Sequence, residues 1–141
     1  MSTSMLRLPP LVMLAAVLGL LLSGCAGSAD YPSFEREQTS DDQLPDDAGL
    51  ELDDFDLSTL RFEGSHEGVD YFLVEATDEM TAGGPCLIID DPAGAVIGCG
   101  QGPLTVTSAA HAAAVAPVGV PAGEAEGWTR ISENVAVRDA R

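Results

Sequence analysis

Cys86-Leu87-Ile88-Ile89-Asp90-Asp91-Pro92-Ala93-Gly94-Ala95-Val96-Ile97-Gly98-Cys99 is the stretch that decides the fold. At its centre, Asp91-Pro92-Ala93-Gly94 has Asp first, Pro second and Gly fourth, the residue choice of a type I turn. Folding the chain back there sets Asp90 opposite Ala95, Ile89 opposite Val96, Ile88 opposite Ile97 and Cys86 opposite Cys99. The turn is assigned without reference to the cysteines, yet it brings them face to face. Opposed residues lie about 4.5–5.5 Å apart at Cα, within disulfide range. A bulge would slip the register by one residue. Closing a loop of this size contributes roughly 3 kcal/mol in the chain-entropy model. Ile88 and Ile97 are apolar on the cysteine side, and Leu87, Ile89 and Val96 on the other. Such a hairpin belongs at the centre of a small sandwich or barrel, covered on both sides. Tyr71, Phe72, Leu73, Val74 and Trp128 are the expected cover.

Further strand signals lie on either side. Val69 to Ala76 is rich in aromatic and β-branched residues, Leu104 to Thr107 alternates apolar residues with Thr, and Asn134 to Val137 places two valines on one face. Ala109 to Ala116 has alanines that favour helix, but it is short, lacks an apolar stripe and ends at Pro117, so strand is preferred. Gly83-Gly84-Pro85, Gly100-Gln101-Gly102-Pro103 and Pro121-Ala122-Gly123 punctuate these runs. Short strands between regular turn signals predict an all-β fold: a small antiparallel sandwich or barrel-like domain over residues 57–141, stapled by one Cys86–Cys99 disulfide. A domain of this size buries a modest fraction of its surface, and a staple is expected.

The N-terminus carries one basic residue, Arg7, then an apolar run from Leu11 to Leu22, then Ser23-Gly24-Cys25. This is the order of a secretory signal. The run is too short for a hydrocarbon core that needs about twenty residues. Leu22-Ser23-Gly24-Cys25 resembles the lipobox of bacterial lipoproteins. The resemblance implies cleavage after residue 24 and a diacylglycerol thioether, with palmitate-type acyl chains, on Cys25. It implies a protein held by its lipid on the extracytoplasmic face of the cell membrane. Export supplies the oxidising compartment a disulfide needs. With Cys25 lipidated, Cys86 and Cys99 use up the remaining two of the three cysteines. A composition dominated by Ala, Gly, Asp and Arg, with no Lys, resembles that of small actinobacterial lipoproteins.

Residues 26–56 carry eleven acidic residues against Arg36 and sparse apolar ones without period. High same-sign charge with little to bury predicts a disordered acidic linker, so that residues 25–56 form a lipidated tether. The EF-hand pattern fails across Asp54 to Ser65: Thr59 stands where the turn Gly belongs and Ser65 where the bidentate Glu belongs. The whole chain has 6 Arg against 23 Asp and Glu, a net charge of −17, which disfavours nucleic acid and anionic lipid headgroups as partners.

Catalytic and metal motifs are missing from the pattern. There is no Cys-x-x-Cys, no Gly-x-Ser-x-Gly and no phosphate loop. His66 and His111 are the two histidines; neither has a ligand partner close in sequence, and both are expected as surface or turn residues. Glu63 and Glu67 flank Gly64-Ser65-His66 at a spacing open to an acid/base pair, but the stretch reads as a solvated turn entering the strand from Val69. No catalytic residue, metal or cofactor is therefore expected. Trp128, with Arg130 alongside, is either core or an exposed binding anchor, these being the residue types enriched at hot spots. The sequence thus predicts a non-catalytic, membrane-tethered binding or interaction module with an envelope-protein or cell-wall partner. A hydrolytic accessory enzyme would need a cleft gathering His66 or His111 with carboxylates, and a purely structural lipoprotein would have no partner.

Overall fold

The computed structural model describes residues 30–77, 84–123 and 125–140. Cys25 and the signal segment lie outside them. Two antiparallel four-stranded sheets pack face to face. The first is a meander of β1 (Phe55–His66), β2 (Val69–Ala76), β3 (Pro85–Asp90) and β4 (Val96–Cys99), in that spatial order. The second contains β5 (Leu104–Thr107), β6 (His111–Val115), β7 (Thr129–Arg130) and β8 (Val135–Asp139), in the order β5-β6-β8-β7.

The central hairpin forms as its turn chemistry requires. The Gly94 N–H donates to the Asp91 carbonyl at 2.8 Å. Ile89 pairs with Val96, Ile88 with Ile97, and Cys86 with Cys99. The two sulfurs are bonded at 2.07 Å. Ala109 to Ala116 contains a strand, as expected, because its alanines are small enough to lie flat between two partners, β5 and β8.

Pleating sends alternate residues of β2 and β3 to opposite sides. Tyr71, Leu73, Leu87 and Ile89 pack against Val106, Ala113, Val115, Val135 and Val137 of the second sheet. Phe72, Val74, Cys86 and Ile88 face the other way and meet Leu44, Leu50, Leu52 and Phe55. Tyr71 to Val74 thus belong to the hairpin's own sheet rather than covering it, and Trp128 joins neither cluster.

That second cover corrects the expectation of a disordered linker for residues 30–56. The segment's few apolar side chains each find a place: Tyr31 is buried in the inter-sheet core, and Phe34 packs on it. A short 3-10 turn, Pro32–Glu35, leads to Arg36. Asp42, 2% exposed, gathers the rest. Its carboxylate accepts both Arg36 guanidinium nitrogens at 2.5 and 2.6 Å, the Phe62 N–H at 2.6 Å and the Thr39 N–H at 2.7 Å. The partner is β1, whose pairing with β2 shifts between Asp56 and Arg61 and again between Phe62 and Gly64. Irregular pairing releases backbone groups that must be satisfied elsewhere. Gln38 donates to the Leu57 and Leu60 carbonyls, Asp42 takes the Phe62 N–H, and the Arg61 guanidinium returns two bonds to the Arg36 carbonyl. Mean composition hid this arrangement, which rests on individual residues. The domain consequently begins near Asp30 rather than at residue 57, and the failed EF-hand stretch is mostly strand.

Candidate functional site

One end of the sandwich collects ionisable groups from three turns and the end of a strand. Asp91 opens the β3–β4 turn, Glu67 lies in the β1–β2 turn, His111 starts β6 after a tight turn from Ser108, and Asp139 ends β8. In the ladder between β6 and β8, His111 sits directly opposite Asp139. Ligand atoms of Glu67, His111 and Asp139 lie within 4.8 Å of one another. Glu67 reaches this position from left-handed backbone, φ 51°, followed by Gly68 at φ 83°, the paired positive values of a tight hairpin turn.

Asp91 fixes the imidazole. Its Oδ2 lies 3.1 Å from His111 Nδ1 and accepts the Ser108 hydroxyl at 3.0 Å, while Oδ1 accepts the Ala93 N–H at 2.9 Å. The Ala93 amide foremost, then His111 and Ser108, hold the Asp91 carboxyl below its usual range, against the opposing pull of burial. An ionised carboxylate has no proton to give, so Nδ1–H is the donor, and in the neutral ring the lone pair is on Nε2. His111 is therefore oriented by a carboxylate, as metal-binding and catalytic histidines commonly are.

Close to the group lies Tyr71, fully buried, whose hydroxyl has no hydrogen-bond partner among the described residues. Burial, then the nearby charges of Asp91, Glu67 and Asp139, push the phenol up to about 12, so it keeps its proton as an O–H donor. Next to Asp91 a cavity of about 280 Å³ is lined by Asp47, Asp70, Asp90 and Gly68. Burial, then Asp70, Asp47 and Asp91, push the Asp90 carboxyl up. The Ser65 hydroxyl donates to Asp70. The pole is thus strongly negative, with one oriented imidazole at its rim.

The other residues singled out in the sequence fall elsewhere. His66 closes β1 opposite Val69 and is not part of the group. Glu63 is not in a solvated turn: it is buried within β1, with Oε2 accepting the Ser132 hydroxyl at 2.5 Å and Oε1 without a partner among the described residues. Glu63 and Glu67 therefore do not form a pair. Trp128 is half-buried against Gly123, where an added Cβ would stand 2.9 Å from the ring. The cation over its face is Arg138, 4.4 Å from the ring centroid, not Arg130, which is exposed and donates to the Glu133 carbonyl. Trp128 is therefore in neither core cluster, and its ring is stacked with Arg138 rather than with Arg130.

His111, expected as a surface or turn residue, instead opens β6 and is largely covered beside Asp91. Its companions are distant in sequence and arrive through strand pairing. The available signal was the turn reading of Asp91; the Asp139 contact needed the β6–β8 ladder, which no local pattern gives. No family model matches the chain, and neither a curated protein nor a solved structure is significantly similar to it.

Proposed function

We propose that this protein is a lipid-anchored, extracytoplasmic binding module that presents its acidic, histidine-bearing pole away from the membrane. The observation that carries this reading is the polarity of the fold. The Asp30 carbonyl accepts the Val118 N–H and the Asn134 side-chain amide, at the end of β6 and β8 opposite to His111 and Asp139. Five peptide steps separate Asp30 from Cys25, a reach of at most about 18 Å. A lipid on Cys25 keeps that end close to the bilayer. The length of β6 then carries the pole on the order of 14 Å farther out. Val118 and Val120, 46% and 41% exposed, follow β6 on the anchor side and suit an apolar boundary better than a solvated one.

The placement of Ser108 favours binding over hydrolysis. In a nucleophilic triad the serine leans on the imidazole and the imidazole on the carboxylate. Here Ser108 and His111 both bond to Asp91, whose carboxyl is held in its ionised, weakly basic form. Ser108 is also 92% buried in effect, at 8% exposure. A negative pole with no lysine in the chain suits a cationic ligand or a basic envelope or cell-wall partner.

The intact mass of the membrane-extracted protein, before and after reduction, tests the anchor. The expected mass is that of a chain beginning at Cys25 plus acyl groups, gaining two hydrogens on reduction. A chain without lipid overturns the anchored reading. Cross-linking in cells from the pole should capture an envelope component, and cross-linking from the anchor end should not.

A further inference from the structure

The pole has the parts of a metal site. Three ligand atoms, from Glu67, His111 and Asp139, already lie within 4.8 Å of one another. Around a tetrahedral ion with bonds of about 2.0–2.2 Å, ligand atoms stand roughly 3.4 Å apart. Closing that difference asks for a side-chain rotation at exposed Glu67 or Asp139, while His111 stays where Asp91 holds it. The carboxylate–imidazole contact leaves Nε2 as the free donor, the arrangement that accompanies metal-bound histidine.

Tyr71 is a second and independent observation. Its hydroxyl is fully buried, has no hydrogen-bond partner among the described residues, and feels the charges of Asp91, Glu67 and Asp139. A buried donor left unpaired costs about 1–3 kcal/mol. A carboxylate drawn in to a metal, or a water on that metal, supplies the acceptor it lacks.

We infer that Glu67, His111 and Asp139 bind one divalent transition-metal ion of the zinc type, with Asp91 as the positioning residue and a fourth coordination place open. The donor set selects the class. Imidazole nitrogen with carboxylate oxygen suits zinc and its neighbours, whereas calcium and magnesium take oxygen alone. Asp47, Asp70 and Asp90 are not ligands in this assignment; their field raises the local cation concentration. The inference deepens the binding reading of the pole and is independent of the anchor.

The test is calorimetric titration of the full-length, membrane-purified protein in detergent with zinc chloride alone. The expected result is one saturable site per chain that a thousandfold excess of calcium chloride does not displace. His111→Ala removes it, His66→Ala leaves it intact, and Asp91→Asn weakens it about 10- to 100-fold, as loss of a ligand's orienting partner does. X-ray absorption of the zinc-loaded wild type, which needs no variant to fold, should show one imidazole with oxygen ligands. No saturable zinc site, displacement by equimolar calcium, an unchanged affinity in His111→Ala, or a shell without imidazole each overturns the assignment. The mass of the same sample reports the anchor separately. Pole-directed capture of an envelope protein without zinc binding would end the metal assignment and leave the binding reading standing.

Discussion

The two faces of the first sheet are equally apolar and are covered in opposite ways. Toward the second sheet, Leu73, Leu87 and Ile89 meet valines and alanines held in a regular ladder. On the outer face, Val74, Cys86 and Ile88 meet Leu44, Leu50 and Leu52, carried by an acidic segment without regular structure apart from one 3-10 turn. The first cover is positioned by its own backbone pairing. The second has few ladder bonds to place it, and Asp42 does so through charge and directed hydrogen bonds. A face can thus be buried by a chain whose composition reads as disordered, provided a few side chains are placed and one polar hub is satisfied.

The sharpest way to break the comparison is to make the same cavity on each side. Ile88 and Ile89 are adjacent, both fully buried, and point to opposite faces. If both covers are rigid, Ile88→Ala and Ile89→Ala each cost about 2–5 kcal/mol, measured by urea denaturation. A loss at Ile88 of less than about half that at Ile89 would mean that the acidic cover collapses into the cavity or lifts away.

Next in size is the hub itself. Asp42→Asn removes a buried charge that faces Arg36, the Phe62 N–H and the Thr39 N–H. Breaking a buried pair from one side costs 3–5 kcal/mol, and because the Arg36 side chain is 38% exposed we expect the lower end, about 3 kcal/mol. Trypsin should then cut after Arg36 while the two sheets remain folded by circular dichroism. Acid acts through the same group. Burial tends to raise the Asp42 carboxyl, but the Arg36 bond and the Phe62 and Thr39 amides outweigh it and hold it well below its ordinary 3.8. Its folded form therefore binds a proton less readily than its unfolded form. The stabilisation is complete above about pH 5 and declines as pH falls through 3.8 and below. Wild type should lose its outer cover in that range, and Asp42→Asn should show a flatter acid limb. Equal acid limbs would assign the transition to other carboxylates.

What was legible in the sequence was whatever rested on neighbours. The hairpin from Cys86 to Cys99 was readable down to its pairs because turn and strands are contiguous. Val69 to Ala76 announced itself by residue type. β1 did not, because two register shifts break the alternation that marks a strand, and its acidic start merges with the segment before it. Within that segment Asp42 looks like Asp41, yet one is buried and the other exposed. The Thr39, Arg36 and Phe62 partners, 3, 6 and 20 residues away, distinguish them. The histidine pole was hidden for the same reason, since Glu67, Asp91, His111 and Asp139 share no local pattern. Their meeting depends on β8 lying beside β6, a pairing that skips β7 in sequence.

The smallest effect concerns how tightly the inner cover is fitted. Gly98, on β4, has no side chain facing Val106 of β5; an added Cβ would stand 2.6 Å from Val106 Cγ2. That distance is well inside van der Waals contact, so Gly98→Ala must push β5 outward or turn the Val106 side chain. Overpacking of this kind costs about 1–3 kcal/mol, and we expect the lower part of that range because β4 and β5 are both edge strands. Gly102→Ala, with open space around it, serves as the control and should be close to neutral. The decisive variant is Gly98→Ala with Val106→Ala. If the seam is limited by this one contact, the double variant is more stable than the sum of the single losses predicts, by about 1 kcal/mol in a double-mutant cycle. Additive losses would instead mean that the inner sheets yield as readily as the acidic cover, and the contrast between a rigid and an adaptable face would fail where it is easiest to measure.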